Sequence, residues 1–176
     1  MSDMPIQPDV KDWTWAIEKP CPQCEFDAAS IHRNDIAGII RDNADRWKEA
    51  LARRDVAVRP VGHVWSTLEY ACHVRDVHRI FGERVRRMLL EDDPEFANWD
   101  QDAAAVEDDY GSQDPDVVAG ELVEAANAVA ATYDAVDGDE QWQRPGTRSN
   151  GSVFTVETIG RYHLHDVMHH IWDVRG

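Results

Sequence analysis

Hydrophobic residues recur at three- and four-residue intervals in four stretches of the chain. In the first, from about 31 to 54, one face carries Ile36, Ile39, Ile40, Ala44, Trp47 and Leu51. This period is typical of an amphipathic α-helix. The other stretches run from 66 to about 90, from about 115 to 136 and from about 155 to 173. No stretch alternates as a strand would, and the sequence therefore predicts an all-α four-helix bundle.

Local signals define the second helix and the connection that follows it. Ser66 is followed three residues later by Glu69, a capping-box pattern with Ser66 as the N-cap. The connection from Pro94 to Asp116 is acidic, irregular and long for a compact domain. Such a long second connection favours a crossover topology over a simple up-down-up-down bundle.

The first 30 residues differ in character from the rest. They contain four prolines, which oppose a continuous helix, together with Trp13 and Trp15. Two exposed indoles would be an apolar liability. We therefore expect residues 1–30 to form an irregular N-terminal arm that docks on a bundle made of residues 31–176.

The charge of the chain narrows the classes of partner. Lysine and arginine number 18 against 34 aspartate and glutamate residues, which gives a formal net charge of −16 at pH 7. Such an acidic surface repels phosphates, so nucleic acid and anionic membranes are poor partners. Neither an apolar run long enough for a membrane span nor a secretory signal is visible. Three cysteines do not make a disulfide framework, and we expect a cytoplasmic protein.

Four histidines lie on the fourth predicted helix, and its geometry sorts them into two faces. At 100° per residue, with His165 as the reference, His169 lies at about 40°, within the apolar arc. His163 and His170 fall at about 160° and about 140°. We therefore expect His165 and His169 to point into the bundle, and His163 and His170 to face solvent.

A third inward histidine comes from the second predicted helix, where His73 lies in the middle of the apolar arc and His78 about 140° away. His165 and His169, at i and i+4, could chelate one ion, and His73 from a facing helix would leave one side open. Imidazole favours zinc, nickel, copper or iron, so a divalent transition metal is the predicted cofactor. The alternative interpretation is that these are hydrogen-bonded core histidines.

Three further side chains are candidates for catalysis. Glu69 and Asp76 flank His73 on the second helix, and Tyr162 lies on the inward side of the fourth. Inward carboxylates are uncommon without partners, and here they could orient an imidazole or act as bases. The alternative is that both carboxylates pair with bundle arginines such as Arg75.

Two segments resemble the DinB/YfiT-like superfamily. Residues 65–73, WSTLEYACH, are similar to the WSxxExxxH opening of that family's second helix, and residues 165–170, HDVMHH, to the HxxxHH of its last helix. The resemblance covers roughly 31 to 175 and implies an up-down-down-up bundle with a long second crossover. It also implies a metal, often zinc or nickel, held by His73, His165 and His169, with His170 outside the ligand set. Some members use mycothiol or bacillithiol as cosubstrate, members often form homodimers, and many have no known activity.

The arm adds a feature that a minimal family member lacks, the CxxC pair Cys21 and Cys24. Three interpretations are open: two thiols without chemistry, a structural metal site, or a redox pair. His32 or His63 could complete a metal site, although their spacing fits no known ligand pattern.

Three hypotheses on function follow from these observations. The first is a metal-dependent enzyme that acts on a small molecule with a low-molecular-weight thiol or metal-bound water as nucleophile, as an S-transferase or a hydrolase. The second is a non-catalytic bundle in which the metal is structural or is sensed. The third is a partner-binding bundle with core histidines, which predicts no stoichiometric metal in the purified protein.

Overall fold

Helices make up most of the computed structural model, which describes residues 6–9 and 11–175. The described residues contain α1 (Ile36–Leu51), α2 (Thr67–Leu90), α3 (Gln101–Glu107), α4 (Pro115–Asp134), α5 (Gly138–Trp142) and α6 (Val156–Asp173). Four of these, α1, α2, α4 and α6, are long and correspond to the four predicted helices. Within the described residues no helix is both long and apolar enough to cross a membrane.

The four long helices form one bundle. Both α4 and α6 pack against α1 and against α2, whereas α1 and α2 make few contacts with each other. The order around the bundle is therefore α1, α4, α2, α6, with α1 and α2 on a diagonal. The long connection between α2 and α4 lets these two helices lie side by side. The predicted up-down-down-up four-helix bundle is confirmed.

Buried apolar faces hold the bundle together as the periodicity predicts. On α1 the side chains of Ile36, Ile40 and Trp47 are fully buried, and Ile39 is half-buried. Full burial of such a side chain contributes about 1.5–3 kcal/mol each. These contacts fix α1 against α4 and α6, and so set the position of the helix that carries four of the eight histidines.

The N-terminus of α2 has the predicted cap. The hydroxyl of Ser66 accepts a hydrogen bond from the backbone N–H of Glu69 at 3.2 Å, and the Glu69 carboxylate accepts one from the backbone N–H of Ser66 at 2.8 Å. Two backbone donors that the helix itself cannot satisfy are thereby satisfied. The cap fixes where α2 begins and therefore the rotation at which it presents His73.

A small sheet joins the connections, and the sequence did not predict it. Strands β1 (Glu95–Phe96) and β2 (Pro145–Arg148) are parallel, and β2 is antiparallel to β3 (Val153–Thr155). Each strand is too short for an alternating pattern to stand out. A Cβ at Gly146 would lie 2.7 Å from Cζ of Phe96, so β2 requires glycine where it crosses this ring. The sheet anchors the segment that leads into α6.

The described part of the N-terminal arm lies along α6. Its short 3₁₀ turns at Thr14–Ile17 and Ala28–Ser30 pack against that helix. Arg161 of α6 donates a hydrogen bond to the carbonyl oxygen of Ile31 at 3.2 Å. Residues 1–5, which include one of the arm's prolines, lie outside the described residues. The arm thus gives α6 a second covered face in addition to the face within the bundle.

Candidate metal centres

Among the described residues, side chains able to bind a metal form two clusters, and each cluster includes two side chains of α6. The α2 cluster consists of His73, Asp166 and His170. The arm cluster consists of Cys21, Cys24, His165 and His169. In each cluster, one potential ligand atom from every member lies within 4.8 Å of those of the others. Each cluster therefore has the spacing needed to hold a single ion.

The structure does not bring the predicted ligands His73, His165 and His169 together. It divides them, with His73 in the α2 cluster and the other two in the arm cluster. The ring of Trp13 lies 5.5 Å from that of His165 and 5.0 Å from that of His169, so both histidines face the arm. The prediction assigned a single inward face to α6. The docked arm covers a second face, and apolar character alone does not distinguish the two.

Two histidines that the helical projections placed away from the inward faces form a buried pair instead. His163 and His78 are both fully buried, with Nε2 of His163 2.9 Å from Nδ1 of His78. The hydroxyl of Tyr133 lies 3.4 Å from the other nitrogen of His163. Burial lowers the pKa of His163 to about 4, and burial beside His163 lowers the pKa of His78 well below its ordinary value. The expectation that His163 faces solvent is wrong, and this pair is a neutral core contact.

His170 was also expected in solvent, and this too is wrong. Its side chain is 18% exposed and belongs to the α2 cluster. Asp166 and His170 are four residues apart on α6, and so lie on one face of the helix. Neither was predicted as a ligand, although their spacing equals that of His165 and His169.

The ligand atoms of the α2 cluster converge. Nε2 of His73 and Nε2 of His170 each lie 3.7 Å from Oδ1 of Asp166. These separations are too long for hydrogen bonds. They are close to the distance of about 3.4 Å between neighbouring ligand atoms of a tetrahedral ion with bonds of about 2.1 Å. The three side chains are thus arranged around one point rather than bonded to one another.

Unsatisfied polar atoms show that this cluster fits a cation. Both ring nitrogens of His73 and Oδ1 of Asp166 are buried and have no hydrogen-bond partner among the described residues. Leaving such an atom unsatisfied costs about 1–3 kcal/mol. His170 is oriented by Asp173, whose carboxylate accepts a hydrogen bond from Nδ1 at 2.9 Å and leaves Nε2 directed at the cluster. Two imidazoles and one carboxylate suit a divalent transition metal.

The electrostatics of the α2 cluster are consistent with this role. Burial lowers the pKa of His73, which favours the neutral form that binds metals. Burial alone would raise the pKa of Asp166, but the neighbouring His73 and His170 hold it well below its usual range. For His170 the effect of burial is outweighed by Asp173 and Asp166, and its pKa is raised. A metal therefore competes with a proton for His170 more strongly than at an ordinary histidine.

Aromatic side chains fix the ring of His73. Trp99, from the connection after β1, stacks on it with centroids 5.3 Å apart and an interplanar angle of 6°. The ring of Trp65 lies 5.3 Å away and is tilted by 44° relative to that of His73. The side chain of His73 is 1% exposed, against 24% for Asp166. The side of the cluster that is more open to solvent is therefore the α6 side.

The predicted catalytic carboxylates are held by other residues. Glu69 is buried, and it accepts hydrogen bonds from Arg59 as well as from the α2 cap. Asp76 accepts one from Nε of Arg75 at 2.9 Å and one from the hydroxyl of Tyr110 at 2.5 Å. These contacts match the alternative stated for both carboxylates, pairing with arginines. Their catalytic role stays a prediction.

Tyr162, the third predicted catalytic residue, packs in an aromatic environment. Its ring lies 5.9 Å from that of Phe81 and 5.6 Å from that of Phe154. Burial raises the pKa of its hydroxyl, with Asp166 adding to the shift. A raised pKa opposes formation of a phenolate, so a catalytic role would be that of a proton donor. That role also stays a prediction.

The arm cluster contains two thiols in a tight turn. The carbonyl of Cys21 accepts a hydrogen bond from the N–H of Glu25 at 2.9 Å, and its own N–H donates to Phe26 at 3.0 Å. Sγ of Cys21 lies 3.7 Å from Nδ1 of His169. Burial, together with the neighbouring Cys21 thiol, raises the pKa of Cys24 to about 11. Reactive cysteines have lowered pKa values, usually at a helix N-terminus, so these observations oppose the redox interpretation.

An open cleft of about 890 Å³ lies beside the two clusters. Its lining includes Cys24 from the arm cluster, Trp172, and Asp173, which orients His170. Neither His73 nor Asp166 lines it. The cleft therefore adjoins the α2 cluster on the His170 side without containing it.

The fold and the α2 cluster together define a four-helix bundle able to hold a metal between two of its helices. The family sequence model of the DinB superfamily matches residues 39–174 of the chain. The chain therefore belongs to that superfamily, as the sequence motifs predicted. The α2 cluster lies inside the matched range, whereas Cys21 and Cys24 precede it. No curated protein sequence matches the chain significantly.

A similar solved structure is that of YfiT from Bacillus subtilis, which is described as a probable metal-dependent hydrolase with an unusual four-helix bundle topology. The alignment covers 82% of this chain and 88% of the YfiT chain, with 20% sequence identity and a TM-score of 0.72. At this identity the likeness shows that the fold is shared.

Proposed function

We propose that the protein is a metal-dependent enzyme whose divalent transition metal is held by His73, Asp166 and His170. The observation that carries the proposal is the convergence of three ligand atoms, two of them buried without hydrogen-bond partners among the described residues. Three protein ligands leave room for a substrate, which is typical of catalytic rather than structural sites. This set keeps His73 from the sequence prediction and replaces the other two ligands.

The proposed reaction is hydrolysis of a small molecule, and the likeness to YfiT supports it. A bound metal would act as a Lewis acid that lowers the pKa of a coordinated water towards neutrality and would deprotonate a coordinated thiol. Asp166 contributes a negative charge that offsets part of the cation's charge. Asp173 holds the His170 ring in the orientation that binds, and Trp99 shields His73 from water. Transfer of a low-molecular-weight thiol would use the same centre.

The test uses protein purified without a histidine tag. Metal content is measured by elemental analysis, and turnover is followed with activated esters and with a thiol plus an electrophile. We expect His73→Ala and Asp166→Asn each to remove one metal equivalent per chain and to reduce turnover to the background rate. His63→Ala, at an exposed histidine outside both clusters, is the matched control.

Two results would count against the proposal. Full activity in the Asp166→Asn variant would reject the ligand assignment. Stoichiometric metal without turnover in either assay would favour the non-catalytic, metal-sensing alternative. Light scattering on the same preparation tests the predicted homodimer.

A further inference from the structure

We propose that Cys21, Cys24, His165 and His169 form a second metal site, a structural zinc site that ties the N-terminal arm to α6. One potential ligand atom from each of the four lies within 4.8 Å of the others. Two thiols and two imidazoles are a ligand set that closed, structural zinc sites use. The α2 cluster has three ligands, one of them a carboxylate, and so differs in composition and in proposed role.

Two short pieces of chain supply the ligands in pairs. The turn from Cys21 to Phe26 is closed by two backbone hydrogen bonds and places both thiols on one side. Glu25 in this turn has a φ of 60°, in the left-handed region that non-glycine residues seldom occupy. His165 and His169 lie on successive turns of α6 and face the same way. The site forms where the turn meets the helix.

Burial gives independent support for a ligand at this position. Cys21 is 1% exposed, His165 2% and His169 8%. Nε2 of His165 is buried and has no hydrogen-bond partner among the described residues. Two thiolates and two neutral imidazoles would balance the charge of Zn²⁺, and a neutral complex can be buried at this depth. Thiolate ligands select zinc over calcium or magnesium.

The structure also excludes the ligands that the sequence had suggested for the CxxC pair. His32 and His63 lie outside the arm cluster. Nδ1 of His32 accepts a hydrogen bond from the N–H of Asn34 and caps a short 3₁₀ turn instead. The partners of the two cysteines come from the last helix, more than 140 residues later in the chain. This separation explains why no spacing rule identified them.

The proposed site is placed to support the α2 cluster. Asp173 lies 3.8 Å from Nε2 of His169 and accepts a hydrogen bond from Nδ1 of the adjacent His170. The arm cluster therefore fixes the helix segment from which two ligands of the other cluster project. It also holds Cys24 at the edge of the open cleft.

Metal stoichiometry of the untagged full chain tests this proposal. We expect two metal equivalents in the wild-type protein and one in the double variant Cys21→Ser/Cys24→Ser. Cobalt-substituted wild-type protein should show thiolate-to-cobalt charge-transfer absorption, which the cysteine variant lacks and Asp166→Asn retains. Cys72→Ala is the matched control, because Cys72 is buried but lies outside both clusters. It should keep both equivalents.

A second measurement needs no variant and stays informative if the cysteine variant fails to fold. A chelator should release the zinc from the wild-type protein and make two of its three thiols reactive towards a thiol reagent. Absence of the cobalt–thiolate band, or a Cys21–Cys24 disulfide in the native protein, would overturn the proposal. Because the cysteine and Asp166 variants lose different ions, failure of this proposal is distinguishable from failure of the proposed function.

Discussion

The buried pair of His78 and His163 predicts a specific loss of stability in mild acid. Both rings are fully buried, lie 2.9 Å apart at their facing nitrogens, and have lowered pKa values. Phe81 stacks on His163 at 4.8 Å, so a charge on this ring would be poorly solvated. The perturbation is a double substitution, His78→Gln/His163→Gln, which keeps polar groups at both positions but removes the titrating rings.

The sign and size follow from the difference between folded and unfolded pKa values. His163 titrates at an ordinary value of 6.5 when unfolded and at about 4 when folded. Between these values the unfolded chain binds a proton that the folded chain does not, so stability is present above about pH 6.5 and is lost as the pH falls towards 4. At about 1.4 kcal/mol per pKa unit, His163 alone accounts for roughly 3 kcal/mol, of which about 2 is lost between pH 7 and pH 5. The pKa of His78 shifts in the same direction and adds to this loss.

The assay is urea unfolding of the wild-type protein and the double variant at pH 7 and pH 5. Other titrating groups are common to both proteins, so the difference between their losses reports on the pair. We expect the wild-type protein to lose at least about 2 kcal/mol more than the variant. Equal losses would refute the reasoning. His63→Gln, at an exposed histidine, should behave like the wild-type protein.

Two further predictions concern the metal and the packing of α6. Asp173→Asn leaves all three α2-cluster ligands in place but weakens the acceptor that orients His170. We expect the affinity for the metal, measured by competition with a chelator, to fall about 10–100-fold. An unchanged affinity would argue against this orienting role. Gly160→Ala would place a Cβ 2.8 Å from Cδ1 of Ile36, and we expect the free energy of unfolding to drop by about 1–3 kcal/mol. Gly120→Ala lies at an exposed position of α4, where an added Cβ would meet no described atom within 4 Å beyond its chain neighbours and the backbone of its own helix, and it should instead gain up to about 1 kcal/mol. Similar losses in both variants would contradict the packing argument.

Elements whose signals are local could be predicted from the sequence. The bounds of α2 follow from Ser66 at its start and Pro94 shortly after its end, and the structure places the helix at Thr67–Leu90. Signals of this kind depend on hydrogen bonds and backbone restrictions within a few residues. The sheet had no such signal, because its strands contain two to four residues and pair across long connections. The clearest sequence feature of the sheet is Gly146. The need for glycine at this position depends on Phe96, about 50 residues earlier in the chain.

The ligand sets were harder to predict because they depend on which face of α6 meets which neighbour. A helical projection gives the angles between His165, His169 and Asp166, but not the direction of the partner helix. The projection took the apolar arc of α6 as the face inside the bundle. The N-terminal arm, however, covers a second face of this helix. Asp166 lies about 100° from His165, on the side of His163 and His170 rather than in the apolar arc. Asp166 and His170 have the same spacing as the two histidines, and carboxylates also ligate transition metals. These two facts could have identified the second ligand pair from the sequence.

The segment 165–170 contains two interleaved ligand pairs, offset by one residue. An offset of one residue turns a side chain by about 100° around the helix, so the two pairs face different neighbouring segments. One pair meets His73 of α2, and the centre proposed there has three ligands and leaves room for a substrate. The other meets the cysteine turn and has the four ligands of a closed site. On the two proposed assignments, a single helix carries a catalytic centre and its structural support, provided that a further segment covers its outer face. The arm supplies that segment, and removal of residues 1–30 should therefore abolish the arm cluster directly and weaken the α2 cluster only through the freedom it gives to α6.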